Sequence, residues 1–180
     1  MGVRGPLLSG ALGSAQSLTA VLRWVEGRSP TVVLGPPWLG DAVANAGRTL
    51  VLVESEARPV AVRTRRRAHK QNRALDVALA GADLPLRRGA LRALVVENVA
   101  GLNEPDAARW LAALVPCLMP GGRLIAADAT SSTVSAARVA GAFLTVALTD
   151  IVQEWPCEGA LLTIGVAPAA AVIEARFAPP

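Results

Sequence analysis

The run LAALVPCLMPGGRLIAAD, from Leu111 to Asp128, decides how this chain folds. It predicts an amphipathic helix, a sharp corner at Pro120-Gly121-Gly122, and then a buried strand, Arg123 to Asp128, that ends on a carboxylate. Proline cannot continue a helix and glycine reaches the positive φ that a helix C-terminus needs, so Met119 to Gly122 is expected to stop one element and launch the next. The strand is apolar on both faces. That is the pattern of a central parallel strand covered by helices, not of an alternating strand with one wet face.

Strands alternating with helices recur on either side of this run. Upstream, Thr31 to Leu34, Thr49 to Val53, Ala74 to Ala80 and the apolar stretch ending at Glu97 read as strands. Between them lie a loop, Gly35-Pro36-Pro37-Trp38-Leu39-Gly40, a short helix from Asp41 to Ala46, and a helix running towards Gln71 that Ser55 is placed to cap. A further helix spans Pro105 to Cys117, and Ser14 to Glu26 carries Leu18, Val21, Leu22 and Val25 at helical spacing with Gly27 as its stop. Downstream, Ser131 and Ser132 open a small-residue helix to about Leu144. Thr149 to Trp155 and Ala160 to Val166 then read as two strands joined by a turn at Pro156-Cys157-Glu158-Gly159, an antiparallel hairpin. The pattern predicts an α/β fold with a mostly parallel sheet and right-handed crossovers. Residues 1–28 are expected to form a leading segment and helix, 29–167 the domain proper, and 168–180 a loose tail.

Composition bounds the function classes. At 180 residues one core suffices, and it must be aliphatic, since aromatic residues make up only 3% of the chain while 52% is hydrophobic. A formal net charge of +4 gives a mild attraction to acidic surfaces and settles no partner. Cys117 and Cys157 do not have metal-ligand spacing, and the single histidine cannot complete a zinc cluster with them, so thiols in a reducing cytoplasm are expected. No apolar run approaches the roughly 20 residues of a membrane span, and the start of the chain lacks the pattern of a secretion signal.

Asp83-Leu84-Pro85 before the fourth strand, and Leu118-Met119-Pro120-Gly121-Gly122 before the fifth, occur in the order and at the spacing seen in the second half of the class I S-adenosylmethionine (SAM) dependent methyltransferases. The terminal hairpin resembles that family's sixth and seventh strands, so the likeness covers roughly residues 30 to 167. It implies a Rossmann-like three-layer sandwich with a seven-stranded sheet, SAM as cofactor, and methyl transfer achieved mainly by holding donor and acceptor in line. Under that resemblance Gly35 matches the first glycine of the cofactor loop, Glu54 the acceptor for the ribose hydroxyls, and Asp83 the adenine-side acid. Glu97 and Asn98 end the fourth strand, where open α/β sheets place ligand-contacting residues.

The loop after the first strand departs from the family. Pro36, Pro37, Trp38 and Leu39 stand where glycines are expected, the loop is about two residues short, and Val33 replaces an acidic residue. Two prolines remove two backbone donors, and Trp38 can fill the space of the cofactor. A collapsed loop and a bound cofactor therefore both stay open, as do helix-start and turn-capping roles for Glu54 and Asp83. No general base is identifiable. His69 sits in a basic helix away from the strand ends.

Two functional classes follow: a degenerate, non-catalytic member acting through protein interactions, or an active methyltransferase on an unidentified acceptor. The surfaces on offer are the helix carrying Arg63, Arg65, Arg66, Arg67, Lys70 and Arg73, which also suits a nucleic-acid backbone, and the C-terminal hairpin near Trp155, whose edge invites pairing with a second copy or another chain.

Overall fold

The computed structural model describes residues 11–80 and 86–168. Seven strands form one sheet in the order β3-β2-β1-β4-β5-β7-β6. They are β1 (Thr31–Leu34), β2 (Thr49–Val53), β3 (Leu75–Leu79), β4 (Leu91–Glu97), β5 (Leu118–Asp128), β6 (Thr149–Cys157) and β7 (Ala160–Val166). The first five run parallel, and β7 returns antiparallel between β5 and β6. The seven-stranded mixed sheet with its C-terminal hairpin is thus the architecture that the alternation implied.

Among the described residues, five complete α-helices cover the sheet: α1 (Ala15–Val25), α2 (Pro37–Val43), α3 (Arg58–Lys70), α4 (Glu104–Leu114) and α5 (Thr133–Thr145). Strand pleat decides which helix meets which side chain. Val33, Val51, Val53, Val95 and Ile125 face α1, α2 and α3, whereas Val32, Leu52, Leu94, Val96 and Leu124 face α4 and α5. Both faces are dry, which is why these strands read as unbroken apolar runs. The helix starts expected at Ser14 and Ser132 are real caps: Ser14 Oγ accepts the Ser17 N–H and Ser132 Oγ that of Ser135.

Four boundaries differ from expectation, each for a physical reason. The Pro-Gly-Gly corner does not separate helix from strand. The helix has already ended at Leu114, a short 3₁₀ turn at Val115–Cys117 follows, and β5 begins at Leu118, which pairs with Leu91. The ladder resumes with Arg123 opposite Ala93, so Met119 to Gly122 bulge from the strand. Second, α2 starts at Pro37, not Asp41, because proline at the first helical position loses only an N–H that would have no partner anyway. Third, Ser55 does not cap α3; a 3₁₀ turn, Ser55–Ala57, precedes that helix, and no side chain caps either start. Fourth, β6 continues through Pro156 to Cys157, leaving a two-residue turn at Glu158-Gly159. Proline is tolerated there because β6 is an edge strand.

Helix α1 is tied across the end of the sheet through Trp24. Its indole Nε1 donates to Glu154 Oε1 at 2.9 Å, Arg23 pairs with the same carboxylate, and the Arg123 guanidinium lies 4.8 Å from the ring centroid.

Candidate functional site

The C-terminal ends of the parallel strands, where this kind of sheet binds ligands, bring several of the expected residues together. Leu34 is in register with Leu52 on one side and Val96 on the other, so Gly35 lies beside Glu97, and Glu54 follows one residue beyond β2. A Cβ added at Gly35 would meet Glu97 Cβ at 3.3 Å. The glycine therefore has a packing reason of its own, independent of any ligand. Glu54 is exposed and precedes the 3₁₀ turn at Ser55. Asn98 holds a left-handed conformation (φ 68°, ψ 31°) and its amide is folded back over Gly101. Asp83 lies outside the described residues.

One residue of the site carries a signal that the sequence reading left unused. Asp128, at the end of β5, is fully buried. Its Oδ1 accepts the Ala100 N–H at 2.8 Å, and Oδ2 has no hydrogen-bond partner. Burial pushes this carboxyl up to about 6; the backbone N–H groups of Ala100 and Val99 pull the other way and the nearby Glu97 charge adds to the rise. Asp128 thus clamps the turn that follows β4, and so fixes Glu97 and Asn98, without itself opening to solvent. The strand-ending carboxylate was visible in the sequence, but its partners come from a segment 28 residues away.

The connection after β1 is the other half of the site. Pro36 precedes the helix with no side-chain cap, and Pro37, Leu39 and Gly40 are buried. The Leu39 N–H is already bonded to the Pro36 carbonyl at 3.0 Å. Trp38 is half-buried, packed against the core on the α1–α3 side of the sheet. A SAM molecule, which the resemblance implies, needs a bare backbone with free N–H groups here. Pro36 and Pro37 have none, and a seven-residue helix adds little dipole of its own. The loop after β1 is thus built from two prolines, one of them buried, and a half-buried tryptophan, with Glu54 at the end of the neighbouring strand.

The basic helix is less open than its composition implied. Arg67 Nη2 lies 2.6 Å from Asp41 Oδ2, and Arg73 Nη1 lies 2.9 Å from Asp41 Oδ1 while donating to the Asp41 carbonyl. Arg65 pairs with Asp76 at 3.4 Å. Three of the six expected contacts are spent inside the molecule, leaving Arg63, Arg66 and Lys70 exposed. His69 Nε2 is bonded to the Leu75 carbonyl at 2.9 Å, at the opposite end of the strands from the site. Among the described residues no helix is long and apolar enough to cross a membrane, and no group of three or more His, Cys, Asp or Glu could hold a metal ion.

No family model and no curated protein sequence matches the chain. Solved structures do. The structure of PigF with SAH superposes with a TM-score of 0.64 at 14% identity over 88% of this chain and 64% of that one. An O-methyltransferase from Nostoc punctiforme gives 0.66 at 14% identity, over 88% of this chain and 57% of the other. A chain from the complex between the Haloferax volcanii Trm112 methyltransferase activator and a methyltransferase gives 0.64 at 18% identity, covering 93% of this chain and 100% of that chain. The chain spans less than two thirds of the length of the first two. These likenesses establish the fold, which is that of the class I SAM-dependent methyltransferases.

Proposed function

We propose that this chain keeps the class I methyltransferase fold without using it for methyl transfer, a pseudoenzyme that acts through contact with another protein. The observation that carries this reading is the β1–α2 connection, where Pro36 and Pro37 remove the donors and Trp38 is half-buried against the core. The surface on offer is the β6 edge. Register shifts on either side confine its regular stretch to Val152, Gln153 and Glu154, of which Val152 is exposed, and the exposed Trp155 follows it. Beside Trp155 and Pro156 an open groove of about 520 Å³ runs to Arg23 and Thr19 on α1. The Haloferax structure, a complex with an activator, supports a protein partner for this fold. Two free cysteines suit the cytoplasmic placement that goes with this reading.

A second reading, an active SAM-dependent methyltransferase with an unusual loop, is favoured by Glu54 and Glu97, which occupy the strand ends where ligand-binding acids are expected. Thermal melting separates the two. With S-adenosylhomocysteine at about one hundred times a micromolar-range Kd, binding would add about 2.7 kcal/mol and raise Tm by several degrees. We expect a shift within the error of the measurement. Sedimentation in low and high salt tests the surface: association through the β6 edge and its apolar side chains survives high salt, whereas contact through Arg63, Arg66 and Lys70, to protein or nucleic acid, does not.

A further inference from the structure

The charges of this chain are sorted along the strand direction. Carboxylates stand at the C-terminal end, with Glu54, Glu97 and Asp128 closing β2, β4 and β5. The N-terminal end is arginine-rich: Arg28 precedes β1, Arg48 precedes β2, Arg88 precedes β4, Arg92 is its second residue, and Arg123 re-enters β5 after the bulge. A sixth arginine at this end, Arg73 before β3, pairs with Asp41, and the other arginines that meet carboxylates are Arg23, Arg65, Arg67 and Arg109. Among the described residues Arg28, Arg48, Arg88, Arg92 and Arg123 form no ion pair.

Two of them face a cavity. Arg28 and Arg92 line a space of about 320 Å³ closed by Glu26, Gly27 and the bulge from Met119 to Gly122. The corner is rigid, because Gly121 N–H donates to the Ala167 carbonyl at 3.0 Å and Ala167 N–H returns to Gly122 O at 2.8 Å. Glu26, the carboxylate in the lining, is exposed and pairs with neither arginine. Arg123 is held nearby against the Trp24 ring and donates to the Trp24 carbonyl at 3.3 Å. Its guanidinium is made less basic first by burial and then by the Arg28 charge, so three arginines crowd around a cavity that holds one carboxylate, Glu26.

We propose that this cavity is a binding site for a phosphorylated ligand, gripped by Arg28 and Arg92 across its mouth with Arg123 adding to the positive field. Two guanidinium forks beside a rigid backbone corner match the bidentate geometry of a phosphoryl group, which a lysine cluster would not. The site lies at the end of the sheet opposite the candidate cofactor site, so its occupancy does not depend on whether SAM binds.

The test titrates the intact chain with inorganic pyrophosphate and, separately, with a 12-nucleotide RNA in low salt. Saturable pyrophosphate binding is expected, and Arg28→Ala/Arg92→Ala should weaken it at least tenfold while Arg63→Ala/Arg66→Ala on α3 leaves it unchanged. None of the four side chains forms a hydrogen bond or ion pair among the described residues, so both variants should melt like the parent. RNA that binds, is displaced by pyrophosphate and is weakened by the same double substitution identifies a nucleic-acid phosphate as the source. Pyrophosphate binding alone identifies a small phosphorylated compound. Failure of both probes to saturate, or equal binding by Arg28→Ala/Arg92→Ala, overturns the proposal.

Discussion

Gly40→Ala destabilises this protein by about 2 kcal/mol or more, although alanine is the better helix former by about 1 kcal/mol. A Cβ at Gly40 would sit 1.9 Å from Val51 Cγ2 and 3.2 Å from Val51 Cβ. Val51 is fully buried in β2, between β1 and β3, and cannot move aside. The bare glycine is what lets α2 lie directly on the sheet, and that placement in turn fixes Pro36, Pro37 and Trp38. A double-mutant cycle reads the contact: Val51→Ala removes the opposing methyls, so Gly40→Ala/Val51→Ala should cost less than the sum of the two single changes in chemical denaturation. A neutral or stabilising Gly40→Ala would mean that α2 does not rest on β2, and the account of the loop would fail with it.

The second large effect concerns Asp128. Its carboxyl is raised to about 6 in the folded protein, from the 3.8 of a solvated aspartate. Between these values the folded state holds a proton that the unfolded state has released, so the contribution of this group is full below about pH 4 and is lost as pH rises through about 6. A shift of about two units corresponds to roughly 3 kcal/mol of penalty at pH 8. Asp128→Asn keeps an oxygen to accept from Ala100 and removes the buried charge. The variant should therefore be more stable than the parent at pH 8, by an amount on the order of 2 to 3 kcal/mol, and should lose the parent's fall in stability between pH 4 and 6. Equal stability of the two proteins across that range would show that Asp128 is not buried as described.

Much of the fold could be read from the chain because its strands are dry on both faces and its turns carry proline and glycine. The hairpin of β6 and β7, and the caps at Ser14 and Ser132, follow from local chemistry alone. What escaped depended on partners distant in sequence. Pro36-Pro37-Trp38 has the composition of a loop, and only the seat of Gly40 on Val51 shows that a helix begins at Pro37. Leu118 joins the sheet because Leu91 lies beside it, a register that no local pattern announces. Asp41 looked like an ordinary helix residue until Arg67 and Arg73, 26 and 32 residues away, were found on it. At the site, the neighbourhood of Gly35, Glu54, Glu97 and Asn98 follows from strand order, whereas the packing of Trp38 and the clamp of Asp128 on the turn after β4 are tertiary facts.

The central claim, that the fold persists here without its cofactor, is tested most directly by isothermal titration calorimetry of the intact chain with SAM. The Pro36-Pro37-Trp38 connection predicts no saturable heat up to millimolar ligand. A single-site isotherm with a Kd in the micromolar range would contradict it and make this chain a methyltransferase with a proline-built loop.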